Sequence, residues 1–186
     1  MIGATWFDSK NVGSSRSFVL RGLPEMEKAT EILWIDQAYL PFTMSTSEME
    51  WAAGGRIRRL LHRNGDCECD LKRHRGTDQI TLNEISPIHE MMFSRLWEAA
   101  KGLTFRKTRY LLRLETHFWY VESITELGLF MARLHSEEQD VARIEVPSRL
   151  GSVVLREVTD EPGYRSIDFA HRLQRWREVR EQASAG

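Results

Sequence analysis

The chain has 186 residues, 41% hydrophobic and 28% charged, with a formal net charge of −1 at pH 7. This composition predicts one folded domain over residues 1–186 and excludes a wholly disordered chain. The near-neutral charge argues against general nucleic-acid binding, which requires a basic surface. No apolar run is long enough to span a bilayer, and no leader pattern is present. We therefore expect a cytoplasmic protein with no membrane partner.

The predicted elements are mostly strands, which follow a loose lead-in at residues 1–15. Besides a central hairpin, strands are predicted at Ser17–Arg21, Glu31–Leu40, Gln79–Ile85, Leu103–Leu114, Phe118–Ile124, Gly128–His135, Ala142–Val146 and Val153–Thr159. A helical turn is expected at Ser47–Ala53. One helix is predicted to begin at Ser86-Pro87, with an apolar stripe of Ile88, Met91, Met92, Leu96 and Ala99. A closing helix at residues 164–183 is expected to bury Tyr164, Ile167, Ala170, Leu173 and Trp176.

The hairpin lies between Gly55 and Arg75 and turns at Asn64-Gly65, a strong hairpin signal. A three-residue loop, with Gly65 or Asp66 in the left-handed region, pairs Arg58 with Lys72. It separates charged from apolar side chains better than a two-residue loop, which would mix them on both faces. One face is then almost wholly ionic and carries Arg56, Arg58, Leu60, His62, Glu68, Asp70, Lys72 and His74. The other face holds most of the apolar groups, including Cys67 and Cys69. These cysteines are expected to be reduced packing residues.

A second strand also carries cations on one face, because Lys107, Arg109 and Arg113 lie at alternate positions along Leu103–Leu114. A solvated sheet face is one interpretation of a charged hairpin, since exposed strand faces are normally polar. Two strands that present cations to one side favour another interpretation, a barrel or strongly curved sheet whose polar lumen holds an anion.

Several short motifs between residues 17 and 170 resemble those of a known protein family. They are Gln37-Ala38-Tyr39-Leu40, Arg56-Ile57-Arg58, Asp70-Leu71-Lys72, Lys107-Thr108-Arg109-Tyr110, Gly128-Leu129, Leu150-Gly151, Glu157-Val158-Thr159 and Tyr164. In this order they resemble the CYTH domain of the triphosphate tunnel metalloenzymes, which include class IV adenylyl cyclases, thiamine triphosphatases and inorganic triphosphatases. The resemblance implies an α+β fold, a closed antiparallel β-barrel of about eight strands that forms a tunnel, with flanking helices.

The resemblance also implies a site. Tunnel cations would grip a chain of phosphates, and the matching residues are Arg56, Arg58, Lys72, Lys107 and Arg109. Tunnel glutamates would hold Mg²⁺ or Mn²⁺, but most of the family's acidic positions are lost. The Glu-x-Glu-x-Lys signature aligns with Gly13, Ser15 and Ser17, and a later Glu-x-Glu aligns with Arg133 and His135. The remaining candidate metal ligands are Glu84, Glu122 and Glu157, so weak metal binding is expected.

Three functions follow from this uneven pattern. The first is a binding protein for a phosphate-rich small molecule, such as a triphosphate, a polyphosphate or a nucleotide, with weak or no metal-dependent turnover. The second is a divalent-metal-dependent triphosphatase or an adenylyl-cyclase-like enzyme that uses the remaining acids. The third keeps only the barrel, as a non-catalytic interaction scaffold.

Overall fold

The computed structural model describes residues 14–44, 47–77, 80–136 and 141–184. For residues 14, 74–77 and 80–83 it describes the backbone but not the side chains. The strands are β1 (Ser14–Leu20), β2 (Glu31–Tyr39), β3 (Arg56–His62), β4 (Cys67–Thr77), β5 (Ile80–Pro87), β6 (Thr104–Leu114), β7 (His117–Ile124), β8 (Leu129–Ser136) and β9 (Val154–Glu157). The α-helices are α1 (Glu90–Ala99), α2 (Ser148–Gly151) and α3 (Ser166–Ser184), and 3₁₀ turns lie at Ser47–Ala52, Thr125–Leu127 and Val141–Arg143.

The strands form one mostly antiparallel sheet in the order β5-β4-β3-β2-β6-β7-β8-β1-β9. This confirms the predicted antiparallel class, with nine strands rather than about eight. Within the described residues, hydrogen bonds do not close the sheet, because β5 and β9 are its two edges. Among those same residues, no helix combines the length and the apolar character needed to cross a bilayer.

The chain divides into two compact units, described separately below. The first unit comprises residues 1–34, 62–64 and 107–161, and the second comprises residues 35–61, 65–106 and 162–186. The predicted single domain stays a prediction.

The core of the first unit lies on one face of β6, β7, β8 and β1. Its fully buried members include Leu112, Trp119 and Leu134, and Phe18 packs on Trp119 with ring centroids 5.8 Å apart. Burying each such side chain contributes about 1.5–3 kcal/mol. Val141 and Ile144 join this core from the connection after β8. Their spacing of three suits a helical turn, which is why the strand predicted at Ala142–Val146 is wrong.

The core of the second unit joins α1 to the apolar face of the hairpin. Phe93 and Leu96 of α1 pack in the same buried cluster as Ile57 and Leu71. The predicted helix stripe is therefore partly wrong, since Met91 is 69% exposed. The predicted start is wrong as well. Ser86 and Pro87 still pair with β4, and His89 caps the helix by accepting a hydrogen bond from the Met91 N–H.

The closing helix is confirmed as α3, but its inward face differs from the prediction. Phe169 is buried and meets the Phe105 ring edge-on at 6.2 Å, whereas Trp176 is 49% exposed. The Arg177 guanidinium donates a hydrogen bond to the Thr104 carbonyl at 3.1 Å. This arginine ties α3 to the start of β6.

The two cysteines are free thiols, with Cys67 exposed and Cys69 buried. Burial, together with the neighbouring Cys67, raises the pKa of Cys69 to about 12. Cys69 therefore stays protonated at neutral pH and packs as a small apolar residue beside Leu71.

Candidate functional site

A buried ionic cluster occupies the face of the first unit opposite its core. The register places Arg109 of β6 directly across from Glu122 of β7. Lys107 lies two residues before Arg109 and shares its face, because side chains alternate along a strand. On β8, Met131 is opposite Glu122, so Arg133 also projects to this face. We call Lys107, Arg109, Glu122 and Arg133 the Glu122 cluster.

Glu122 is the hub of this cluster. Its Oε1 lies 2.7 Å from both Lys107 Nζ and Arg109 Nη2. Arg133 approaches the other oxygen, and its Nε lies 3.5 Å from Oε2. The Glu122 side chain is 1% exposed and that of Lys107 is 3% exposed. One carboxylate is therefore buried among three cationic side chains.

The charges of this cluster do not cancel. Burial alone would raise the pKa of Glu122, but Lys107, Arg109 and Arg133 outweigh burial and hold it well below its ordinary value. Glu122 is thus an anion at neutral pH. Burial, together with the neighbouring Arg109 and Arg133, lowers the pKa of Lys107 to about 7, although Glu122 opposes this shift. With Lys107 protonated, three positive charges face one negative charge.

Aromatic rings border this cluster on the same face. The Arg109 guanidinium carbon lies 4.7 Å from the centroid of the Tyr120 ring, and Tyr120 is 5% exposed. The His135 ring meets Tyr120 edge-on at 5.6 Å. Such contacts hold the plane of the Arg109 guanidinium in place.

The second unit carries its own cationic face on β3 and β4. The ladder places Arg58 opposite Asp70 and Arg56 opposite Lys72. The predicted pairing of Arg58 with Lys72 is therefore wrong by two residues. Because a shift of two preserves the alternation, the predicted faces are correct. Gly65 has a φ of +91°, as the turn requires.

This face is buried rather than solvated. Arg58 donates to Asp70 through Nε at 3.1 Å and through Nη2 at 2.5 Å, and their side chains are 2% and 4% exposed. Lys72 is 8% exposed. We call Arg56, Arg58, Asp70 and Lys72 the Asp70 cluster. Like the Glu122 cluster, it contains three cationic side chains and one carboxylate, which is bonded to Arg58.

Two of the predicted metal ligands point away from these cationic faces. Glu84 pairs with Arg73 and bonds its Nη2 at 3.1 Å, on the strand face opposite Lys72. Glu157 pairs with Phe18, on the face opposite Glu122, and accepts from Arg16 Nη2 at 2.7 Å. Strand parity is the physical reason, since each acid is an odd number of positions from the cationic row.

The fit of these residues to a divalent metal is poor. Mg²⁺ and Mn²⁺ take hard oxygen ligands, chiefly carboxylates. Of the three predicted acids only Glu122 accompanies a cationic cluster, and its carboxylate is already engaged by cations. Within 14–44, 47–77, 80–136 and 141–184, no three His, Cys, Asp or Glu side chains are grouped to hold a metal ion. At the aligned N-terminal positions Ser15 and Ser17 carry no carboxylate, and Gly13 lies outside the described residues.

Among known proteins, similarity to this chain is found only with solved structures. No family profile and no curated protein match the sequence. Two crystal structures of NE1496 match with TM-scores of 0.57 and 0.55, both at 19% identity and over 85% of this chain. They are covered over 97% and 93% of their length, and are described as a hypothetical protein and as an inorganic triphosphatase.

The fold is CYTH-like. The likeness confirms the resemblance predicted from the sequence at the level of fold, because the sequence identity is too low to carry more. In this CYTH-like fold the structure brings Lys107 and Arg109 together around Glu122, and Arg56, Arg58 and Lys72 onto one face with Asp70. The predicted set omitted Arg133. The sequence pattern that indicates Arg133 is the alternation of Met131, Arg133 and His135, which places these three side chains on one face of a strand.

Proposed function

We propose that this chain binds a triphosphate- or polyphosphate-bearing anion through its cationic clusters, with slow or no metal-dependent turnover. The observation that carries the proposal is the gathering of three cationic side chains, Lys107, Arg109 and Arg133, around the buried carboxylate of Glu122. The similarity to a structure described as an inorganic triphosphatase supports a phosphate-rich ligand at a coarse level.

Buried cations without enough counter-charge are costly, because desolvation is not repaid and like charges repel one another. A triphosphate brings about four negative charges in one chain of oxygens. Guanidinium forks match phosphate oxygens bidentately, and Lys107 adds a compact point charge. A phosphate chain at the Glu122 cluster would therefore place negative charge beside three cationic side chains.

The Asp70 cluster is assigned the same class of ligand. Arg56 and Lys72 are proposed as its phosphate-binding residues, together with Arg58, whose bonds to Asp70 fix its guanidinium. That all five predicted cations line one cavity, and that the sheet closes into a tunnel, remain predictions.

Metal-dependent hydrolysis is the second candidate. The description of NE1496 as an inorganic triphosphatase and the presence of Glu122 among the cations favour it. An adenylyl-cyclase-like reaction would need a divalent metal in the same way. We rank both below binding because the described acids do not assemble a metal site. An interaction scaffold would be left only if no phosphate compound binds.

The test is equilibrium binding of inorganic triphosphate in EDTA, measured by calorimetry, alongside phosphate release with Mg²⁺ or Mn²⁺. The double variant Lys107→Gln/Arg109→Gln should bind at least about 100-fold more weakly, since each charged hydrogen bond contributes about 1.5–3 kcal/mol. Lys28→Gln/Arg143→Gln removes the same charge from exposed sites of the first unit and should bind like wild type. Rapid metal-dependent phosphate release would reject the binding proposal in favour of the enzyme.

A further inference from the structure

Arg133 is the third cationic side chain of the Glu122 cluster. Its Nε lies 3.5 Å from Glu122 Oε2, and its side chain is 20% exposed. The other carboxylate oxygen, Oε1, is 2.7 Å from both Lys107 and Arg109. Arg133 therefore places a third positive charge beside this one carboxylate.

The strands fix Arg133 in this place. Across the ladder its direct neighbours are Tyr120 on β7 and Ser17 on β1. Neither of these direct cross-strand neighbours is acidic. A divalent ion held here would lie close to the three cationic side chains of Lys107, Arg109 and Arg133, which already engage Glu122.

We propose that Arg133 is a phosphate-binding residue that makes the first-unit site selective for a polyphosphate carrying no bound divalent metal. This inference rests on the proposed function and names the form of its ligand. A metal ion on the phosphate chain removes two negative charges and brings a positive charge toward three fixed cations. In a buried site this repulsion is weakly screened. The guanidinium of Arg133 thus takes the place that a metal would take at the phosphate oxygens.

The experiment is calorimetric titration with inorganic triphosphate at pH 7 and constant ionic strength, in EDTA and in Mg²⁺ sufficient to complex the ligand. Wild type should bind the metal-free form at least about tenfold more tightly than the Mg²⁺ complex. Arg133→Gln should weaken metal-free binding by about 10- to 100-fold, the size of one lost charge-assisted contact. The same variant should bring the ratio of the two dissociation constants close to one.

Two further variants separate this role from a structural one. Arg133→Lys keeps the charge and should recover much of the preference for the metal-free form, whereas Arg143→Gln, an exposed site of the same unit, should change neither constant. Glu122 keeps its contacts to Lys107 and Arg109 in every Arg133 variant, so the unliganded melting temperature should change little.

The outcomes are distinct. If wild type binds triphosphate in EDTA but Arg133→Gln binds equally well, the role of Arg133 is overturned and the binding proposal stands. Equal or tighter binding of the Mg²⁺ complex by wild type would overturn the selectivity. No binding in either condition would overturn both proposals.

Discussion

Glu122 shows how one buried residue can order the charges around it. A lone carboxylate at 1% exposure would be strongly destabilising, but contacts of 2.7 Å to Lys107 and to Arg109 offset its desolvation. Removing a cation and removing the carboxylate should therefore change the stability of the protein by different amounts. Losing one of three cations leaves the carboxylate paired, whereas losing the carboxylate leaves three buried cations without it.

Glu122→Gln should consequently destabilise the protein by about 3–5 kcal/mol, the usual cost of breaking a buried ion pair from one side. Because cations hold the pKa of Glu122 below its ordinary 4.5, its contribution is present above about pH 4.5 and is lost as the pH falls below that value. Urea unfolding at pH 7 and at pH 4 should show a smaller difference between variant and wild type at the lower pH. Glu157→Gln, at an exposed ion pair, should cost only ~0–1 kcal/mol, and a similar loss in both variants would contradict this account.

Lys107 should take up a proton when an anion binds. Its pKa of about 7 reflects burial, so at pH 8 it is mostly neutral in the unliganded protein. A phosphate chain would raise that pKa, and binding at pH 8 should then take up as much as about one proton more than in Lys107→Arg, whose guanidinium is always charged. Calorimetry in two buffers of different ionisation enthalpy measures this difference. Equal proton uptake by the two proteins would show that Lys107 does not contact the anion.

Arg58 and Asp70 form the equivalent buried pair of the second unit. Asp70→Asn should destabilise by about 3–5 kcal/mol, because it removes the carboxylate that is bonded to the buried Arg58 guanidinium. Glu48→Gln is the matched control, since the Glu48–Arg95 pair is exposed on both sides and should cost about 0–1 kcal/mol. Chemical unfolding of both variants gives the comparison, and an unaffected Asp70→Asn would mean that this pair does not stabilise the fold.

At the scale of elements, alternation was the most reliable sequence signal. It placed Arg56, Arg58 and Lys72 on one face even though the predicted pairing was two residues out, because an even shift keeps parity. The register itself depends on which opposed side chains bind each other. Arg58 opposite Asp70 is an attractive cross-strand pair, and loop length alone does not reveal that preference.

Local helix signals were less reliable, because tertiary pairing overrode them. Ser86-Pro87 has the composition of a helix start, yet pairing with β4 keeps both residues extended. Pro87 is tolerated there since β5 is an edge strand. The helix face then follows from its true start, which turns Phe93 inward and Met91 outward.

This corrected face of α1 predicts a sharp contrast. Phe93→Ala should cost about 3–5 kcal/mol and Leu96→Ala about 2–5 kcal/mol, because both leave cavities in the second-unit core. Met91→Ala should stay within about 0.5 kcal/mol of wild type, since this side chain is 69% exposed. Urea unfolding of the three variants checks the assignment. A large loss at Met91 would restore the stripe predicted from sequence.

At the scale of the whole molecule, the sequence predicted the antiparallel class and the CYTH-like resemblance, and both are confirmed. The face of Glu84 and of Glu157 was not predictable from their alignment to acidic motifs. A carboxylate can keep its place in a pattern while strand parity turns it away from the cations, as the bonds to Arg73 and Arg16 show. Alternation along β8 puts Arg133 on one face with Met131 and His135, but its contact to Glu122 depends on the pairing of β7 with β8, which no local pattern reveals.

The most direct test of the central claim is a thermal melt with inorganic triphosphate in EDTA. A ligand that binds the folded state stabilises it by RT ln(1 + [L]/Kd), which is about 2.7 kcal/mol at 100 times Kd. For a chain of this length that predicts a rise in melting temperature of roughly 5–11 °C, at 2–4 °C per kcal/mol. The rise should disappear in Lys107→Gln/Arg109→Gln and persist in Lys28→Gln/Arg143→Gln. An unchanged melting temperature of the wild-type protein at saturating triphosphate would contradict the account.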